Sequence, residues 1–287
     1  MIKILIFIVA YLVLAPLVGG LLAGFDRRIS ARMQGRVGPP LLQPFYDVLK
    51  LREKEDITVN RVQDFYVGCF FLFVLVTGGI FFAGGDLLLV IFTLTLASVF
   101  LIVAAFSSNS PYAQIGAERE LLQMMAYEPM VLLTAVGFYV VEGSFDIRHI
   151  VTDSTMDLLP LIGIFLGYIF ILTLKFRKSP FDLSMSHHAH QELVKGLTTE
   201  FSGKTLSLIE IAHWYENVFL LGFVFLFFAN GTVWGAVIGV VVCLLAYFLE
   251  VLIDNSFARM KWQVAINSAW IVALVLGMIN LFIVAMV

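Results

Sequence analysis

The sequence predicts an all-α polytopic membrane protein with about eight transmembrane helices and a short amphipathic surface helix after the first. Three observations predict it. Of the 287 residues, 60% are hydrophobic and 14% charged, and the mean hydropathy is +0.95; that balance leaves too little charge to cover a soluble domain of this length. The apolar residues fall in runs long enough to cross a bilayer core of about 30 Å, which takes roughly 20 helical residues. Lys and Arg are gathered in alternate connections. The short alternating segments of a membrane barrel are absent. Residues 1–287 read as a single membrane domain.

In chain order the candidate spans run from Ile4 to Phe25, Phe65 to Ala83, Leu87 to Phe106, Leu121 to Val141, Leu158 to Leu174, Ser207 to Ala229, Val233 to Ile253 and Val264 to Val287. The first exceeds the apolar core of a signal peptide and lacks a clean small-residue cleavage site, so it is expected to be retained. All Lys and Arg except Lys3 and Arg148 lie in the connections after spans one, three, five and seven. Basic residues are held on the cytoplasmic side during insertion, which predicts both termini outside and the two long connections in the cytoplasm.

After the first span, Gly35, Gly38, Pro39 and Pro40 imply a bent, stiff backbone. Leu41, Leu42, Phe45, Val48 and Leu49 then recur at helical spacing, with Asp47, Lys50 and Arg52 elsewhere on the wheel. This predicts the surface helix. The arginines before it, Arg36 among them, either enforce topology alone or form a working surface.

Ionisable residues near membrane depth are the candidates for function, because an ionised carboxylate there must pair, face water or carry a proton. Entering span four, Glu118 and Glu120 precede Glu128, which falls about two turns beyond Glu120 on roughly the same side. In span six the fully apolar stretch after Asn217 is too short to cross alone. The span therefore has to include Glu210, His213 and Glu216, at successive i, i+3 steps on one helical face, as a candidate proton relay. A solvated helix start is the competing reading of that turn. Asp86 is expected to be an interfacial turn residue and Asp254 a salt-bridged helix end, with Glu250 left open. Cys69 and Cys243 stand alone in apolar spans, so neither a metal site nor a redox centre is expected in this chain. No glycine-rich phosphate loop or internal repeat is evident.

The run Arg177-Lys178-Ser179-Pro180-Phe181-Asp182-Leu183, followed by Glu192-Leu193-Val194-Lys195-Gly196 and Thr199-Glu200-Phe201-Ser202-Gly203, resembles the loop signature of the complex I subunit-1 family. Arg36-Val37-Gly38-Pro39 and Ala126-Tyr127-Glu128 resemble that family's other motifs. The resemblance implies eight transmembrane helices that dock a peripheral redox arm, with glutamates and aspartates linking electron transfer to ion movement. Two departures stand out. Ser186-His187-His188-Ala189-His190-Gln191 occupies the place of an acidic run of which only Glu192 remains, and His213 stands where an acidic residue aligns.

In these departures the chain resembles the larger-loop membrane subunit of Ech-type energy-converting nickel–iron hydrogenases. That resemblance implies ferredoxin oxidation, H2 formation at a partner's nickel–iron centre and export of H+ or Na+ across a prokaryotic cytoplasmic membrane. The nickel–iron centre and iron–sulfur clusters are expected in partners: the hydrogenase large and small subunits and an iron–sulfur subunit, beside an antiporter-like membrane subunit. This chain is expected to bind lipid, no nucleic acid and no cofactor, and to hold no catalytic residue. Arg36, Asp182, His187, His188, His190, Glu192 and Glu200 are the candidates for the partner junction. A quinone-chamber subunit and a stand-alone cation transporter or anchor are the competing functions.

Overall fold

The computed structural model describes residues 2–55, 60–153, 156–185 and 195–286. Among them every regular element is helical: α1 Ile2–Met33, α2 Gln43–Glu53, α3 Arg61–Phe82, α4 Leu87–Phe106, α5 Pro111–Glu142, α6 Ile147–Thr152, α7 Ile162–Lys175, α8 Gly203–Leu226, α9 Val233–Ser256 and α10 Trp262–Met286. All but α2, α6 and α7 are long and apolar enough to span a membrane. The predicted fifth span is the departure: α7 has only 14 residues, about 21 Å of helix. Pro160 lies just ahead of it, and Asn280 of α10 takes over the cap, accepting from Ile164 N at 3.2 Å and donating to Pro160 O at 3.0 Å. The cap satisfies a backbone donor that a helix start leaves open.

The surface helix is present as α2, which buries Pro44 and Val48 and sets the Phe45 ring 5.1 Å from that of Trp214 on α8. Asp86 caps α4, accepting from Leu89 N at 3.0 Å. Span six does extend toward the loops: α8 starts at Gly203 and carries Glu210, His213 and Glu216 within it.

Aromatic rings form one continuous part of the interior. Phe81, Phe219, Phe223 and Tyr168 stack or meet edge to face, and Phe227 lies tilted against Tyr168. Two buried tyrosine hydroxyls find partners across helices, Tyr168 Oη donating to Leu220 O at 3.1 Å and Tyr215 Oη to Leu12 O at 2.6 Å. Large apolar side chains stay exposed on α1, α9 and α10, among them Phe7, Val240, Leu244 and Phe282. On a chain so poor in charge, that pattern fits lipid contact.

Alternation of the helices places the α2 connection, the start of α5, the residues after α7 and the start of α8 on one face. Glu142, α6 and Asp157 lie on the opposite face.

Candidate functional site

The connection after α7 folds back onto the helix ends. Arg177 adopts a left-handed backbone (φ 51°), unfavourable for a residue with a Cβ, and this turn carries the chain inward. Lys178 pairs with Asp26 of α1 at 2.8 Å, Ser179 N donates to Asp254 at 2.8 Å, and Met260 N donates to Pro180 O at 3.1 Å. Gly116 of α5 lies so close to the turn at 196–198 that a Cβ there would collide with the Leu197 backbone. The approach lets Leu197 N donate to Ser184 O at 3.0 Å, which holds Ser184 over α5.

Five charged or ionisable side chains meet beneath this connection. Glu120, buried in α5, accepts from Arg177 through Nε at 3.0 and 3.2 Å and through Nη2 at 2.7 Å. Ser184 Oγ donates to its other oxygen. Arg177 Nη1 also lies 3.1 and 3.3 Å from the two ring nitrogens of His213. His213 Nδ1 is 3.3 Å from Glu216 Oε2, and Lys175 Nζ is 3.8 Å from Glu216 Oε1 and 4.0 Å from the centre of the Tyr127 ring. Two carboxylates thus face two cations, and the cluster is neutral when His213 is neutral.

The hydrogen-bond roles follow from what each group can do. A guanidinium only donates and an ionised carboxylate only accepts. The consistent tautomer therefore has Nδ1–H donating to Glu216 and Nε2 accepting from Arg177; this is assigned from the network. A proton can reach Nε2 only when Arg177 gives up that contact.

The other sequence candidates lie elsewhere. Glu118 is exposed on α5. Glu128 is half-buried, and its Oε1 has no hydrogen-bond partner. Glu210 lines a charged cleft of about 240 Å³ beside α2, with Arg27, Asp47, Lys50 and Lys195. Arg36 is exposed and bonds Gln34. Asp182 pairs with Arg259, yet its Oδ1 is buried without a partner; burial raises its carboxyl to about 7 against the pull of Arg259. Glu200 is half-buried after the turn at 196–198. His187, His188, His190 and Glu192 lie outside the described residues.

Arg177, Lys175 and Ser184 are the members of the cluster not singled out from the sequence. The signal available was Lys175 and Arg177 directly after an apolar run. Asp254 accepts a backbone N–H as well as facing Lys178 and Arg259. Glu250 is fully buried with neither carboxyl oxygen partnered.

A family model described as NADH dehydrogenase matches residues 2–285. Hydrogenase-4 component C of Escherichia coli is 27% identical over 291 residues, spanning 93% of this chain and 91% of that protein. An NADH-quinone oxidoreductase subunit of Anoxybacillus flavithermus is 29% identical over 304 residues, 93% of this chain and 88% of its own length. A chain from the membrane-bound sulfane sulfur reductase, an archaeal respiratory membrane complex, superposes with a TM-score of 0.84 at 26% identity, covering 97% of this chain and 99% of that one.

Proposed function

The chain belongs to the NADH dehydrogenase subunit-1 family, and from that premise we propose that it is the ion-translocating membrane subunit of a ferredoxin-dependent energy-converting nickel–iron hydrogenase. As a member of the family it is a membrane subunit, itself non-catalytic, of a multisubunit oxidoreductase of the complex I-like and hydrogenase-related kind. In the proposed complex it anchors the hydrogenase arm and couples H2 evolution or uptake to H+ or Na+ movement. The arm supplies the nickel–iron centre, iron–sulfur clusters and ferredoxin contact, while an antiporter-like subunit lies beside this chain in the cytoplasmic membrane.

The observation that carries ion coupling is the reach of Arg177. One residue in the loop-side connection holds Glu120 of α5 and His213 of α8 together. A partner that moves this connection moves Arg177, and in a medium of low dielectric that displaced charge is felt strongly by its neighbours. Once Arg177 leaves, His213 accepts a proton at Nε2 and passes the Nδ1 proton to Glu216. The entering proton comes from water on the loop side: an O–H bond of hydronium breaks as Nε2–H forms, and Nδ1–H breaks as an O–H bond forms on the carboxylate. Arg36, Asp182 and Glu200, with His187, His188, His190 and Glu192, are proposed to meet the arm. The hydrogenase reading draws support from the likeness to hydrogenase-4 component C and from His213 in the place of an acidic residue.

The purified complex supplied with reduced ferredoxin and no quinone is expected to evolve H2. Quinol formation with no H2 in quinone's absence would point instead to a quinone-chamber subunit. A sulfur-reducing complex is a second reading, favoured by the superposition on the sulfane sulfur reductase chain; sulfide release from polysulfide in place of H2 identifies it. In vesicles, Glu120→Gln is expected to leave H2 production uncoupled from ion movement. Coupling that survives Glu128→Gln and Glu210→Gln removes those two residues from the path.

A further inference from the structure

A second set of buried acids lies on the opposite face of the bundle, outside the cluster around Arg177. Glu142 closes α5, and its side chain is 2% exposed. Asp157, in the turn before α7, is 0% exposed. Asp157 is within hydrogen-bonding reach of Glu142, yet both Asp157 oxygens and Glu142 Oε1 have no donor. Two ionised carboxylates have no hydrogen to share, so a proton on either one would supply the missing donor. The remaining Glu142 oxygen, Oε2, is 3.1 Å from Nδ1 of His149 on α6, whose side chain is 56% exposed.

Among the described residues the surroundings offer no competing cation. Asp153, at the end of α6, adds a third negative charge toward Asp157. Asp146 caps α6, and the Arg148 guanidinium donates to Ala83 O at 3.0 Å. Among the described residues neither Glu142 nor Asp157 has a Lys or Arg within ion-pairing distance. Glu142 also stands at a helix C-terminus, where backbone carbonyls disfavour an anion.

We propose that this face carries a proton-binding site: one proton shared between the carboxyl groups of Glu142 and Asp157 and exchanged with water through the imidazole of His149. Like charges in one site raise the affinity of the pair for its first proton. Burial, and then the charge of Glu142, push the Asp157 carboxyl up to about 8. In the exchange step the shared proton stays on Glu142 as its carboxyl turns toward His149; that O–H bond breaks as His149 Nδ1–H forms, and the imidazolium gives its Nε2 proton to water, leaving hydronium, while the reverse sequence reloads the pair. The site's use as the outer mouth of an ion path rests on the coupling function proposed above, whereas its occupancy by a proton does not.

Infrared difference spectroscopy of the whole complex in lipid, titrated in sodium-free buffer, reads the proton directly. The wild-type protein is expected to show a carboxylic C=O band that disappears as pH rises through about 8. In the isosteric double variant Glu142→Gln/Asp157→Asn this band is expected to be lost from the spectrum, leaving that of Asp182, which titrates near 7, and in Glu142→Gln alone it is expected to titrate lower. His149→Phe is expected to keep the band but slow its deuterium exchange by about a hundredfold or more, the scale of removing a positioned proton-transfer group. A band unchanged in the double variant, absence of any titrating band in wild type, or bleaching by added sodium overturns the proton site. Unchanged exchange in His149→Phe overturns the role of the imidazole. Vesicle ion transport in the same preparations reads the coupling function separately, so loss of transport with the band intact counts against that function and not against the site.

Discussion

On the loop side, Glu120 and Glu216 each sit beside a cation, and His213 bridges the two halves. On the opposite face, Glu142 and Asp157 sit beside each other, with an exposed imidazole at Glu142 and a further acid, Asp153, near Asp157. Both pairs of acids are buried, so the difference lies in what neutralises them. Fixed cations hold the first pair in register and tie three segments of chain together. A mobile proton is left to neutralise the second, so its charge follows pH. One arrangement resists a change of protonation until a cation moves; the other accepts one directly.

The sharpest way to break that contrast is to remove the cation. Arg177→Gln strands Glu120 in the interior and unties His213. Loss of one partner of a buried ion pair costs about 3–5 kcal/mol, so a large drop in thermal midpoint and loss of coupled activity are expected. Arg177→Lys should recover only part of this, because one ammonium cannot reproduce a fork that serves Glu120 and His213 together. Full recovery by lysine would mean that the charge alone matters. Ser184→Ala tests the same region more gently. Removing a hydrogen bond to a charged group costs about 1.5–3 kcal/mol, read as a smaller fall in midpoint with the fold retained.

The far-face pair is expected to respond with the opposite sign. The Asp157 carboxyl rises from 3.8 to about 8 on folding, so between those values the folded chain binds more protons than the unfolded one. Stability contributed by this group is complete below the unfolded value and falls as pH rises toward 8, by at most about 1.4 kcal/mol per pH unit. Asp157→Asn should flatten that slope in a series of thermal midpoints taken across the window. A steeper slope in the variant would mean the pair is held ionised in the folded protein.

How much of this was legible in the sequence depends on geometry that spacing alone does not carry. Apolar runs and the placement of Lys and Arg revealed the helical membrane fold, and the short apolar stretch after Asn217 correctly drew Glu210, His213 and Glu216 into α8. Their grouping on one face was too generous. At 100° per residue, six residues leave Glu210 and Glu216 roughly 120° apart, so Glu210 faces the α2 cleft while Glu216 is buried. Glu128 likewise stands roughly 80° from Glu120. Arg177 was visible within a motif, but its position between α5 and α8 follows from a left-handed turn that no periodicity signals. Glu142 and Asp157 are brought together only by the return of the chain through α6, and each alone reads as an ordinary interfacial acid.

The smallest effect is expected where charge meets water. Arg27 and Asp47 form an ion pair at 2.5 Å with side chains 45% and 39% exposed. Burial would raise the Asp47 carboxyl, but hydrogen bonds from Arg27 and Gln43 outweigh it and hold the group below its ordinary value. The pair's contribution is therefore present above the unfolded value of 3.8 and is lost as pH falls through the lower folded one. Solvent screening limits it to roughly 0.2–1 kcal/mol, and added salt weakens it further. Asp47→Asn should consequently shift the midpoint little and remove a small salt dependence. A loss as large as that of Ser184→Ala would mean that α2 is fastened by its charges; the buried Pro44 and Val48 and the packing of Phe45 against Trp214 argue that apolar contact holds it instead.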